Sequence, residues 1–206
     1  VDALSHWFDG DKMYNGHSAD AIRTKGGATK ESIDLLKNGV VTRGVLMDIA
    51  DMKGVPYMNE GEAVFPEDLD AAEAKYNVKV QPGDLMLIRT GNWERRQAQG
   101  PKHPMLPGNG ASGLHAACLP WIKERDIAML GGDLAQDVIP SGYSEFNLPV
   151  HQVILTAMGC WILDNCNLED LHKKCKSEGR WEFLVVVCPL RMANGTGAPV
   201  NPIAIF

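Results

Sequence analysis

The chain lacks any long basic tract, has few aromatic residues, and contains no hydrophobic run long enough to cross a bilayer. Its positive charges never cluster beyond a pair, Arg95-Arg96 or Lys173-Lys174, and aromatic residues make up 7% of the sequence. The net charge is −6 and the isoelectric point is near 5.5, which argues against a nucleic-acid or anionic-membrane partner. The longest nearly unbroken apolar run, Val153 to Leu163, falls well short of the roughly 20 residues a membrane helix needs. No CxxC occurs, and five cysteines (Cys118, Cys160, Cys166, Cys175, Cys188) cannot all pair. Four of them sit in apolar or helical contexts, so the expectation is reduced, buried thiols in a cytoplasmic protein.

Several catalytic signatures are also missing. GNGASG (108–113) lacks the Lys-Ser/Thr of a phosphate loop and does not follow a strand, which removes nucleotide binding. There is no GxSxG elbow; Ser141-Gly142 follows Pro140 in a loop, which argues against a serine hydrolase. Neither HExxH nor a zinc-finger spacing is present. What remains is ordinary globular composition, 45% apolar and 22% charged over 206 residues, enough for one domain with a sizeable core. No signal peptide is visible, and the sequence opens at Val1 without a Met.

The pattern alternates between strands and helices. The opening residues 1–22 read as loop. KGGATKESIDLLKNG reads as a short helix closed by Gly39, and VVTRGVLMDIA as a β-branched strand. DMKGVPYMNEGEAV reads as loop, and Pro66 starts a helix with Glu67, Asp68 and Asp70 in its first turn. VKVQPGDLMLIRTG reads as strand, turn and strand. From Gly91 to Gly113 the sequence predicts one long irregular stretch. Ser112 is a candidate N-cap for the helix in SGLHAACLPWIKERD, with Pro120 forcing a break or restart inside it, and IAMLGGD is a short buried strand. LEDLHKKCKSEG, capped by Asn167, is a helix; WEFLVVVCPL and NPIAIF are closing strands. Together these predict α/β layers around a mixed sheet in a single domain spanning residues 1–206.

NLPVHQVILTAMGCWILDNCNL (147–168) organises the rest. It reads as a short apolar helix stopped by Gly159, then a buried strand ending at Asp164. His151 in the helix and Asp164 at the strand end can meet at one sheet edge. Buried imidazole and carboxylate groups are costly unless they are hydrogen-bonded or hold a metal. Asp2 and His6, four apart in the opening loop, form a second such pair: an Asp oxygen and a His nitrogen suit Zn²⁺ or Mn²⁺, and a further imidazole suits proton transfer. Either pair alone is also what a capped turn or a surface loop contains. His115 and His172 read as surface or packing residues, and His17 and His103 as exposed loop residues.

Taken in series, these segments resemble the cyclase family of metal-dependent hydrolases, the group containing kynurenine formamidase and isatin hydrolase. VDALSH resembles the tail of that family's metal motif, HxGTHxDxxxH. PGDLMLIRTG resembles its "PGD…RTG" strand, GLHAACLPWIKERDIAMLGGD its unit ending in Gly-x-Asp, PVHQVILTAMGCWILDNCNLEDL its His helix and acidic strand end, and GTGAPVNPIAIF its closing strand. The resemblance implies a swivelling β/β/α-type α/β fold with a mixed sheet flanked by helices, usually as a homodimer or homotetramer, acting on a small-molecule substrate. It implies Asp2 as a metal ligand, His6 as a proton-transfer residue, and His151 as a second-metal ligand or proton-transfer group. It also implies Asp164 as a further metal or water contact, standing where the family has Glu, or Gln in the isatin hydrolase type, and one methylene shorter than that Glu. The activity implied is opening of an amide, lactam or lactone bond with a divalent metal, Zn or Mn. The likeness begins inside the motif, so the expectation is that the segment carrying HxGTH lies outside these residues. If it does not exist, the alternative is a catalytically inactive cyclase-fold protein or small-molecule binder.

Overall fold

After Gly39 the β-branched and apolar sequence VVTRGVLMD forms the longest strand, β1 (Val40–Asp48), in a computed structural model that describes all 206 residues. Three strands follow it in parallel: β2 (Leu85–Arg89), β3 (Met129–Gly132) and β4 (Trp161–Leu163). On the other side of β1, β5 (Glu182–Val187) and β6 (Ile203–Ile205) add antiparallel, giving the order β6-β5-β1-β2-β3-β4. Every residue of β2 and β3 is buried, as expected of central parallel strands covered on both faces. The cover comes from α1 (Pro66–Tyr76), α2 (Asn92–Gln99), α3 (Leu119–Arg125), α4 (Pro149–Val153, continuing as a π-helical turn to Met158) and α5 (Glu169–Glu178). One continuous core runs through Leu46, Met86, Leu130 and Ile162. This is the mixed α/β layering the sequence predicts.

Parallel strands end on the same edge, and here each ends in or beside a polar residue: Asp48, Arg89, Asp133 and Asp164. The Arg89 guanidinium, only 2% exposed, donates to Asp48 at 3.0 Å and to Glu169 at the start of α5 at 2.7 Å. The second Asp48 oxygen lies 2.5 Å from His172 Nδ1, so the half-buried His172 is tied into the same network. One buried cation thus ties the ends of β1 and β2 to the helix that follows β4.

Four local expectations are corrected. KGGATKESIDLLKNG contains a single 3₁₀ turn, Ile33–Leu36, because its glycines and β-branched residues leave too little chain for a helix. Val78 and Val80 form no strand: their amides bond to Glu73, so the alternating pattern packs the segment onto the end of α1. Gly91 to Gly113 is not wholly irregular, since α2 begins at Asn92. Gly91 takes φ +77°, where a Cβ would sit 2.3 Å from the Pro56 carbonyl oxygen, and Asp133 accepts the Asn92 N–H at 2.9 Å. Ser112 is buried and caps nothing. His115 Nδ1 accepts the Ala117 N–H in a 3₁₀ turn, after which the chain restarts as α3 with Pro120 in its first turn, the restart that this proline predicts. All five cysteines are free thiols, with Cys188 exposed and Cys166 half-buried. No helix is long and apolar enough to cross a membrane.

Candidate metal centre

The opening residues reach the polar edge by pairing with β4. The Asp2 N–H donates to the Ile162 carbonyl at 2.8 Å, and Asp2 bridges Gly197 on its other side. Ala3 and Leu4 are buried behind it, and the His6 N–H closes a turn onto the Ala3 carbonyl at 2.8 Å. Asp2 therefore lies beside the strand that delivers Asp164. His151 arrives on α4, whose start carries Pro149 and whose end is Gly159 at φ +66°, packed so closely on the Tyr14 ring that no side chain fits there.

Three donors converge. His151 Nε2 lies 3.0 Å from Asp164 Oδ2 and 3.9 Å from Asp2 Oδ2, and one ligand atom from each of Asp2, His151 and Asp164 falls within a 4.8 Å group. His151 is 3% exposed, and each carboxylate side chain is 20% exposed. The other ring nitrogen, Nδ1, is taken by Asp137 Oδ2 at 2.8 Å, which leaves Nε2 as the nitrogen facing the carboxylates. Gln136 Nε2 donates to the second Asp164 oxygen at 3.1 Å and so turns Oδ2 toward His151. Next to the centre, Asp164 and Val1 also border a cavity of about 950 Å³ floored by Leu87, Phe183 and Val185.

The charge balance favours a cation. Three carboxylates (Asp2, Asp137, Asp164) surround one imidazole. Burial pushes the Asp2 carboxyl above its usual range; the Asp164 charge adds to this, against the opposing His6 and His151. For His151 burial is again the largest influence and favours the neutral ring. Hydrogen bonds and charge from Asp137 and Asp164 overcome it and hold the ring up to about 10. One imidazole and two carboxylate oxygens form a donor set suited to a divalent cation. The residues present fit a divalent ion.

The raised His151 value has a measurable consequence for metal-free protein. Its folded value of about 10 lies above the ordinary 6.5, so protonation stabilises the fold. That contribution is complete below pH 6.5 and lost as pH rises through about 10. After chelation, stability and Tm should therefore fall progressively across this window. Subtracting a His151→Leu profile isolates the effect from other basic titrations. Coincident wild-type and variant profiles would remove the link.

Of the residues singled out in the sequence, Asp2, His151 and Asp164 come together. His6 stands at the rim, 43% exposed, with Nε2 3.8 Å from Asp2 Oδ2. Trp7 packs its ring 5.7 Å from that of His151 at 47°. His17 is half-buried and lies 3.5 Å from Glu31, His115 is also half-buried, and His103 is exposed in its loop. The sequence reading missed Asp137 and Gln136. Neither carries a spacing signal: Asp137 acts on a residue 14 positions away across a loop.

Among curated proteins, none matches the chain. The family model described as "Cyclase: Putative cyclase" matches residues 1–136. A solved structure described as a novel cyclase is 36% identical with TM-score 0.88, covering 100% of this chain and 68% of its own. Isatin hydrolase A from Ralstonia solanacearum is similar in fold, at 21% identity and TM-score 0.66 over 98% of this chain and 69% of its own. So is an isatin hydrolase bound to the product analogue thioisatinate, at 18% identity and TM-score 0.67 over 98% and 69%. With its α/β fold, its match to the family model and its 36% identity to a solved cyclase, the chain belongs to the cyclase family.

Proposed function

We propose that this chain is a metal-dependent hydrolase that opens an amide, lactam or lactone bond of a small molecule. One observation carries the reading: donors from opposite ends of the chain, Asp2 against His151 and Asp164, converge within 4.8 Å beside an exposed, unlocked imidazole, His6. The fold shared with isatin hydrolases supports the same reaction class, and isatin is the first substrate to try. A divalent ion held by these donors supplies positive charge that acidifies water and polarises a carbonyl oxygen.

The chain's own residues supply the rest. Asp2 and Asp164 present carboxylate oxygens on two sides of the His151 nitrogen. Trp7 shields the His151 ring. His6, outside hydrogen-bond distance of Asp2, is free to take a proton from the attacking water and return it to the leaving nitrogen or oxygen.

The test is metal binding by purified protein. Wild type should take up Mn²⁺ or Zn²⁺ stoichiometrically, read by calorimetry and elemental analysis, and Asp164→Ala should weaken binding at least tenfold. A wild type that binds neither ion would overturn the hydrolase reading in favour of a non-catalytic cyclase-fold protein.

A further inference from the structure

The loop Gln136–Ile139 is pinned against residues 111–114: Leu114 donates to the Gln136 carbonyl, Val138 to the Leu114 carbonyl at 3.1 Å, and Ala111 and Ile139 exchange bonds at 2.9 Å. Two consecutive side chains project from this fixed backbone toward the donors. Gln136, 4% exposed, spans the Leu163 carbonyl at 3.0 Å and Asp164 Oδ1 at 3.1 Å. Asp137, 1% exposed, accepts the Val150 N–H at 2.6 Å and the His151 N–H at 3.1 Å, and meets His151 Nδ1 at 2.8 Å. The two amide bonds alone would satisfy a helix cap. The third bond does something a cap does not require: it fixes which way the imidazole faces.

We propose that Asp137 is a positioning residue of the metal centre, holding His151 with its proton on Nδ1 so that Nε2 is the nitrogen offered beside Asp2 and Asp164, while Gln136 performs the same service for Asp164. This rests on the metal-hydrolase reading above. A carboxylate only accepts hydrogen bonds, so the ring nitrogen facing it must carry the proton. The nitrogen on the opposite side is then left as the electron-pair donor. An amide at position 137 could instead donate to Nδ1 and move the ring proton to Nε2, blocking that nitrogen.

The experiment uses the whole chain and Zn²⁺ alone as probe. Calorimetry should show a 10–100-fold weaker Kd for Asp137→Asn and Asp137→Ala, and recovery toward wild type in Asp137→Glu. Gln136→Met should weaken binding by a smaller factor. Nitrogen-15 spectra of zinc-loaded wild type should show His151 metal-bound through Nε2, with a slowly exchanging Nδ1 proton. A purely structural role for Asp137 would lower the melting temperature without moving either Kd or this signature. The inference is overturned if folded Asp137→Asn binds Zn²⁺ within twofold of wild type, or if wild-type His151 binds through Nδ1. Should the Asp137 variants not fold, the wild-type spectrum and Gln136→Met still decide it. If wild type binds neither Zn²⁺ nor Mn²⁺, the hydrolase reading itself is defeated, whereas normal binding by every variant defeats only the role of Asp137.

Discussion

On the proposed reading, His6→Ala should lower turnover by about 10²–10⁴-fold while leaving metal content in place, the range expected when a positioned general base is removed. The two halves of this expectation come from different features. His6 is 43% exposed and its Nε2 stays 3.8 Å from Asp2, so its ring is not among the clustered donors and metal content should survive. Its backbone, in contrast, is fixed by the turn onto Ala3, so the ring hovers over the centre from a rigid base. The measurement is kcat/KM on whichever amide, lactam or lactone the wild type opens, alongside metal content of the same preparations. Because the ring is exposed, added imidazole has room to enter the gap and should restore part of the rate. Wild-type turnover in His6→Ala would remove this residue from the reaction. Loss of metal together with activity would reassign it as a ligand.

Much of the architecture was legible because burial leaves a periodic signature. The runs LMLIR, WIL and EFLVVV became β2, β4 and β5, and Pro66, Gly159 and Gly179 punctuate helices where their backbone preferences require. Errors arose where a tertiary partner replaced a local signal. The start of α2 is satisfied by Asp133, 41 positions away, and no window of sequence around Asn92 contains that carboxylate. Val78 and Val80 alternate like a strand, yet their amides are consumed by Glu73. The site divides in the same way. Asp2, His6, His151 and Asp164 were singled out because they match a motif series or stand at element ends, and three of them, Asp2, His151 and Asp164, cluster in space. Asp137 and Gln136 touch the centre only through chain reversal, and a lone Asp in QDVIP looks like any loop residue.

Arg89→Met should cost about 3–5 kcal/mol, enough to bring a domain of ordinary stability close to unfolding. The methionine fills much of the same volume, so the loss is electrostatic rather than a cavity. Without the guanidinium, Asp48, which is fully buried, and Glu169, 14% exposed, keep charges with too few partners. His172, 2.5 Å from Asp48, can compensate one of them only when protonated. Glu94 provides the control: it also meets Arg89, at 3.4 Å, but is 47% exposed, so Glu94→Gln should change stability by less than about 1 kcal/mol. Adding Asp48→Asn and Glu169→Gln to Arg89→Met should recover part of the loss, because the neutral partners no longer need a cation. Chemical denaturation of the four proteins measures the set. An Arg89→Met protein as stable as wild type would mean that the junction of β1 and β2 with the first turn of α5 does not depend on this guanidinium, and that apolar packing and the remaining polar contacts, His172 to Asp48 among them, hold it.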